Sequence, residues 1–308
     1  MPRSVKLDLR RQLRSFRRGG RRQSVTNDRL KTITTINGRR VPRQRAKISV
    51  FDNAFLYADG VFETFLAIED RVVFLEEHIA RLYRGAQVLG LELPVERSTL
   101  ARWMVNTVKA HPARMKKLRL TITGGESPKW TGRQGAPQVV LSASPHSLPR
   151  QPFKILVSDL RIDHRSIFRQ IKTLSYVINA AALKRAKLQK CDDALLLNTD
   201  ARVAEITTAN IFWVKKDIIY TPALTSGCLG GVTRQVTIDE ARTLGCRVEE
   251  VEQGLRSLLS AEEVFLTSSL KLVLPISLIN HHRSHHRFET GAVTRTLAAH
   301  IRQLVMHR

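Results

Sequence analysis

Lys172 is the residue around which chemistry can be organised. It stands in Ile171-Lys172-Thr173-Leu174-Ser175-Tyr176, between a stretch read as loop, Asp159 to Arg165, and a helix predicted from Val177 to about Lys190. A lysine at such a junction can point into a cleft instead of into solvent. Its amine would there be desolvated, its pKa depressed, and it would be able to form a Schiff base with a carbonyl. With 51 Lys and Arg in the chain, a solvated surface charge is the ordinary alternative. A Schiff-base lysine needs a carbonyl held alongside, and one source of it is a cofactor that carries a ring nitrogen and a phosphate. The chain should therefore also supply an acidic partner and an anion cradle.

Glu205 is the candidate acid. It is the single carboxylate in Val203-Ala204-Glu205-Ile206-Thr207-Thr208-Ala209-Asn210, and its apolar flanks argue against an exposed hairpin end. The candidate cradle is Leu229-Gly230-Gly231-Val232-Thr233-Arg234, which opens a helix predicted to run to Leu244. Free N–H groups and the positive end of the helix dipole favour a phosphate there, and Thr233 adds a hydroxyl. Arg81 lies one turn after His78 on another predicted helix. It either reaches the same phosphate as a charge-assisted donor or pairs at the surface with Glu76 or Glu77.

The elements that must position these residues can be read in order. Thr32–Ile36 reads as a strand, Asn37-Gly38 as a tight turn and Arg39 to Pro42 as its return. Strands follow at Val61–Ile68 and Arg71–Phe74, with a loop or short helix at 51–60. Apolar residues at three- and four-residue spacing predict a helix over Leu75–Leu89, ended by Gly90, and a second over about Val95–Ala110. Strands at Leu118–Thr123 and Gln138–Ala143 complete a small α+β N-terminal domain, residues 30–147. The two prolines of 148–152 mark a linker. Residues 153–308 form a larger α/β C-terminal domain carrying the lysine. It has strands at 153–158, 193–197, 202–205, 210–215, 218–221, 247–251 and 264–267, and helices at 177–190, 232–244, 255–261 and 291–306. Hairpins dominate, and no Gly-rich dinucleotide fingerprint is present, so a doubly wound nucleotide fold is not expected.

Six segments occur in the order and with the separations of one known family: Tyr57-Ala58-Asp59-Gly60-Val61-Phe62-Glu63-Thr64, His78-Ile79-Ala80-Arg81-Leu82, Lys172 to Tyr176, Ala204-Glu205 through Phe212, Gly231-Val232-Thr233-Arg234 and Phe265-Leu266-Thr267-Ser268-Ser269. Over about Ile33 to Val305 the chain resembles the class IV aminotransferases, the fold-type-IV enzymes that use pyridoxal 5'-phosphate. The resemblance implies an α+β, two-domain fold like that of D-amino-acid aminotransferase, a cofactor bound between the domains, and a homodimer. Carried over, Lys172 holds the cofactor as a Schiff base, Glu205 pairs with its pyridine nitrogen and Arg81 binds its phosphate. The amides of Val232 and Thr233, with the side chains of Thr233 and Ser269, complete the phosphate cup. Arg119 and Tyr57 are the substrate-binding candidates; Arg119 grips a carboxylate or caps a strand edge.

The implied reaction moves an amino group between an amino acid, branched-chain or similar, and a 2-oxo acid, with Lys172 shuttling the Cα proton. The alternative is a lyase that uses the same lysine to release pyruvate and 4-aminobenzoate from 4-amino-4-deoxychorismate. Three departures bear on this choice. Val177 stands where branched-chain enzymes carry a tyrosine, with Tyr176 one position earlier. Phe62-Glu63-Thr64 looks like the D-amino-acid and lyase branches. Lys129-Trp130-Thr131 replaces the Arg and His pair of the D-alanine enzymes.

The net charge of +24 is unevenly spread. Residues 1–50 hold sixteen Lys or Arg against Asp8 and Asp28. Residues 1–29 read as a basic, disordered extension, with an organelle-targeting peptide as the alternative to a cytoplasmic protein. Charge of this kind prompts a third reading, a nucleic-acid binder on an enzyme scaffold, but no recognition motif accompanies it. Cys191, Cys228 and Cys246 are too scattered for a disulfide framework or a zinc site. His281 to His286 is read as a solvated loop, with metal binding as the alternative. No metal and no membrane span are expected.

Overall fold

The computed structural model describes residues 32–127, 135 and 137–307. The basic extension and Lys129-Trp130-Thr131 lie outside the described residues.

Ile33–Ile36 (β1) turns at Asn37-Gly38, both at positive φ, and returns as Arg39–Arg40 (β2). Asp52 caps the short helix Asn53–Tyr57 (α1) by accepting a hydrogen bond from the Ala54 amide. Gly60–Ile68 (β3) and Arg71–Val72 (β4) follow, then Leu75–Val88 (α2), Arg97–Lys109 (α3), Met115–Thr123 (β5) and Val139–Pro145 (β6). The expected strand to Phe74 stops at Val72, because Phe74 adopts left-handed backbone, φ 52°, just before α2. The six strands form one antiparallel sheet in the order β2-β1-β6-β5-β3-β4. Ile79, Leu82 and Ala86 of α2, and Leu100, Met104 and Val108 of α3, share one core with Phe65, Leu118, Leu120 and Leu141 of the sheet. The helical repeat that buries this stripe also turns His78 and Arg81 of α2 inward.

The second sheet begins with Phe153–Ile162 (β7). The helix Val177–Leu188 (α4) leads to Asp193–Asn198 (β8), Val203–Ile206 (β9), Asn210–Lys215 (β10) and Ile218–Pro222 (β11). Val232–Thr243 (α5), Arg247–Val251 (β12), Leu255–Leu259 (α6), Glu263–Ser268 (β13), Leu272–His281 (β14), Ser284–Arg287 (β15) and Ala292–His307 (α7) complete the chain. The sheet runs β12-β11-β10-β13-β14-β7-β8-β9, with β15 paired to β14. Its pairs are parallel at β11/β12, β14/β7 and β7/β8 and antiparallel elsewhere. Leu66, Ile68 and Val73 from the first sheet's side join Phe212, Phe265, Ile238 and Leu297 in one cluster, so the two sheets share apolar contact. Two sheets with their helices make a two-domain α+β architecture, as the resemblance implies.

Further stretches of the second sheet differ from the sequence reading. Asp159 to Ile162 is strand, not loop: Asp159 and Arg161 are exposed while Ser158 and Ile162 are buried, and the register against β8 shifts between Val157 and Arg161. Charge on the outer face masks the alternation. The histidine run is the tip of a hairpin: His281 pairs with Ser284, His282 takes φ 53°, and His285 Nδ1 lies 2.7 Å from Asn280 Oδ1. Strand β14 escapes detection because Pro275 interrupts its apolar run, and a proline argues against a central strand. No cluster of three or more His, Cys, Asp or Glu among the described residues is arranged to hold a metal ion. No described helix is long and apolar enough to cross a membrane.

Candidate functional site

The start of β3 clamps the Lys172 segment. The Phe62 amide donates to the Lys172 carbonyl at 3.0 Å, and the Leu174 amide donates to the Gly60 carbonyl at 3.0 Å. Gly60 has no substitute here, since a Cβ would lie 2.4 Å from the Ile122 carbonyl oxygen. Held this way, Lys172 Nζ sits 4.5 Å from the centre of the Phe62 ring and 5.4 Å from that of Tyr176. Burial, reinforced by Arg81, pushes its amine down to about 8, while Glu63 and Glu205 oppose the shift. A neutral amine is thus accessible near physiological pH, as nucleophilic attack on a carbonyl requires. Tyr176 donates its hydroxyl to the Thr207 carbonyl at 2.9 Å.

Glu205 is buried on β9. Arg169 Nη2 donates to its Oε1, and the Leu229 amide donates to its Oε2 at 2.9 Å. The guanidinium is itself fixed by Nε donating to the Gly227 carbonyl at 3.1 Å. Each carboxylate oxygen thus has a hydrogen-bond donor, as a buried acid needs.

At the other end lies the first turn of α5. Asn210 donates to the Leu229 carbonyl at 2.7 Å, and a Cβ on Gly231 would lie 2.0 Å from Asn210 Oδ1, so the approach to the helix requires glycine. The buried hydroxyls Thr233 Oγ1, Thr267 Oγ1 and Ser268 Oγ have no hydrogen-bond partner among the described residues. Buried hydroxyls are normally paired, so unpaired hydroxyls beside a helix N-terminus fit a phosphorylated ligand. Arg81 reaches the same loop, with Nη1 donating to the Gly230 carbonyl at 3.0 Å. It makes no surface pair with Glu76 or Glu77. Its Nε and Nη2 donate to the two oxygens of Glu63, each at 2.7 Å.

One cavity of about 330 Å³ joins the lysine, the Glu205 carboxylate and the start of α5. Its lining includes Lys172, Glu205, Arg81, Val232, Thr233, Ser269 and Arg119, so seven of the eight residues singled out from sequence meet there. Arg119 is part of the lining, its guanidinium carbon 3.9 Å from the Phe62 ring centre, and its hydrogen bond goes to Thr121. Tyr57 is not in this lining; it stands at the exposed end of α1. Lys117, Arg169 and Lys271 are not singled out by the sequence reading, and Glu63 and His78 stand in its motifs without a role. A carboxylate inside the apolar strand Val61-Phe62-Glu63-Thr64-Phe65 is the available signal, because such a group is buried only with partners.

The family model for amino-transferase class IV matches residues 60–279. An aminodeoxychorismate lyase of Bacillus subtilis is 33% identical over 251 residues, spanning 79% of this chain and 85% of its own length. A D-alanine aminotransferase of Bacillus licheniformis is 30% identical over 247 residues, 79% of this chain and 87% of its own. Among solved structures, a T.th. branched-chain amino acid aminotransferase in complex with N-(5'-phosphopyridoxyl)-L-glutamate superposes with a TM-score of 0.82 at 29% identity, covering 90% of this chain and 94% of that one. The chain belongs to the class IV aminotransferases and is a pyridoxal-phosphate enzyme of fold type IV.

Proposed function

We propose that this enzyme transfers an amino group between an amino acid, branched-chain or similar, and a 2-oxo acid, with Lys172 as the catalytic amine. The observation that carries the reading is the meeting, in one cavity, of a lysine amine held near 8, a buried carboxylate and an anion-ready helix N-terminus with unpaired hydroxyls. The cofactor, when bound, supplies a carbonyl for the amino group and a ring that takes up the electrons released at the substrate Cα. Lys172 would hold it covalently, and its Nζ would be the base that takes the substrate Cα proton and the acid that returns it. Glu205 would face the ring nitrogen and favour its protonated form. Arg81, the Val232 and Thr233 amides and the Thr233 and Ser269 hydroxyls would hold the phosphate. Arg119, whose guanidinium has no carboxylate partner among the described residues, binds the substrate carboxylate.

The same reading takes residues 30–147 and 153–308 as the two domains, joined at 148–152, and the enzyme as a cytoplasmic homodimer. Phe51, Phe55, Leu56 and Tyr57, with Ile167, Phe168 and Val177, are large exposed apolar side chains of the kind that a second copy would cover. A second reading, release of pyruvate and 4-aminobenzoate from 4-amino-4-deoxychorismate, is favoured by the likeness to the Bacillus subtilis lyase.

The test is the visible spectrum of the purified protein against a panel of amino donors. Loss of the cofactor's yellow band with one donor, and its return with a 2-oxo acid, is the expected result. A yellow protein unmoved by every donor but releasing pyruvate from aminodeoxychorismate selects the lyase. A colourless protein that takes up no added pyridoxal phosphate removes the assignment of Lys172.

A further inference from the structure

Behind the phosphate end of the cavity lies a buried chain of polar groups that the proposed reaction does not use. Glu63 is 0% exposed and His78 is 0% exposed. His78 Nδ1 lies 2.8 Å from Glu63 Oε2, and His78 Nε2 lies 3.1 Å from Ser269 Oγ. Glu63 also receives both Arg81 bonds. Ser269 and Arg81 line the cavity; Glu63 and His78 do not.

The proton positions in this chain are constrained. Burial by itself would raise the Glu63 carboxyl, but Arg81 and His78 hold it well below the usual carboxylate range. An ionised Glu63 accepts only, so His78 Nδ1 must carry a proton. The remaining charged groups facing His78 are Arg81 on its own helix and Lys172 from the adjoining loop; Ser269 brings no charge, and Phe65 packs its ring 4.6 Å away. Burial, Arg81 and Lys172 keep the second proton off, against the pull of Glu63, so the resting imidazole is neutral with a bare Nε2. At 3.1 Å from a bare nitrogen, the Ser269 hydroxyl must donate backwards to it. It then offers the cavity only lone pairs, which repel an anion.

We propose that His78 is a proton-linked positioning residue that takes up a proton when a phosphate enters the cup, reversing the Ser269 hydroxyl so that it donates to the phosphate. Two acceptors cannot face each other at hydrogen-bond distance, so Ser269 can turn its proton to the anion only if Nε2 gains one of its own. The dianion supplies the drive, since it adds negative charge within a wall of low dielectric. The proton comes from solvent and no bond other than N–H is made. This inference rests on the phosphate cup proposed above and assigns His78 a role in it.

The test uses the cofactor-free full chain and inorganic phosphate, with no carbonyl to bond Lys172; protons taken up by Lys172 itself, whose amine is held at about 8, occur in wild type and His78→Gln alike and cancel in their difference. Calorimetry at about pH 8, where phosphate is mainly a dianion, in buffers of different ionisation heat counts protons taken up. The wild type is expected to take up close to one proton per phosphate more than His78→Gln. Its affinity should fall with rising pH in a way that His78→Gln does not. Nitrogen NMR of the wild type needs no variant: the His78 ring should pass from the Nδ1–H neutral form to imidazolium on adding phosphate. Phosphate binding with His78 still neutral, or with equal proton uptake in His78→Gln, overturns the relay and leaves the cup standing. No phosphate binding by the wild type overturns the cup and the relay together.

Discussion

Replacing Glu63 with glutamine tests whether the buried carboxylate holds the site together. Glu63 is fully buried and its two oxygens take three donors, Arg81 Nε and Nη2 and His78 Nδ1. A glutamine side chain offers one oxygen and one NH2 group. Whichever way it turns, the NH2 group faces an Arg81 donor, and the guanidinium loses its counter-charge. Removing one partner of a buried ion pair costs about 3–5 kcal/mol. For a chain of this size that corresponds to a fall of roughly 10 °C in Tm. Denaturant unfolding of the cofactor-free chain at neutral pH measures the loss directly. The pH dependence carries a sign. The folded carboxyl is held low, so its contribution is complete above the unfolded value of about 4.3 and drains away as pH falls towards the folded one. The gap between wild type and Glu63→Gln should therefore be level above about pH 5 and narrow below about pH 4. A loss under about 1 kcal/mol, or a gap unchanged into strong acid, refutes the reasoning.

Thr233→Val should leave folding stability unchanged, because Oγ1 has no partner to lose, yet weaken pyridoxal phosphate binding about 10- to 100-fold, the worth of one hydrogen bond to a charged group; a cofactor titration and a melting curve on the same samples separate the two effects. The rate at which the cofactor-free chain captures pyridoxal phosphate should rise with pH through about 8 and then level, since only the neutral Lys172 amine attacks. A stopped-flow profile that keeps rising to the ordinary lysine value of about 10.4 contradicts a desolvated amine. Arg119→Leu should raise KM for an amino donor by about tenfold or more while leaving the visible spectrum of the bound cofactor in place, because the guanidinium lines the cavity over Phe62 with no carboxylate partner among the described residues; an unchanged KM returns Arg119 to a strand-edge role.

Local pattern makes the elements of the first sheet legible, because each carries its own signal: Asn37-Gly38 at the hairpin, the Ile79-Leu82-Ala86 stripe, the alternation of β5. The second sheet reads less well where tertiary context overrides local pattern. Asp159 and Arg161 hide the outer half of β7, and Pro275 sits in a strand paired on both sides. Seven of the eight proposed site residues line the cavity because the motifs that carry them bring their own geometry, a loop before a helix for Lys172 and a glycine approach to α5 for Thr233. The partners behind them are not legible. Arg169 reaches Glu205 across 36 positions, and Ser269 reaches His78 across 191, so their pairing exists only once the sheets are assembled.

The central claim is that Lys172 is the amine that bonds the cofactor. Borohydride reduction of the purified, cofactor-loaded enzyme, followed by peptide mapping by mass spectrometry, tests it directly. A phosphopyridoxyl mass fixed to the peptide that contains Lys172, and absent from Lys172→Ala, is the predicted result. A tag on any other lysine, or one that persists in Lys172→Ala at the same yield, contradicts the account.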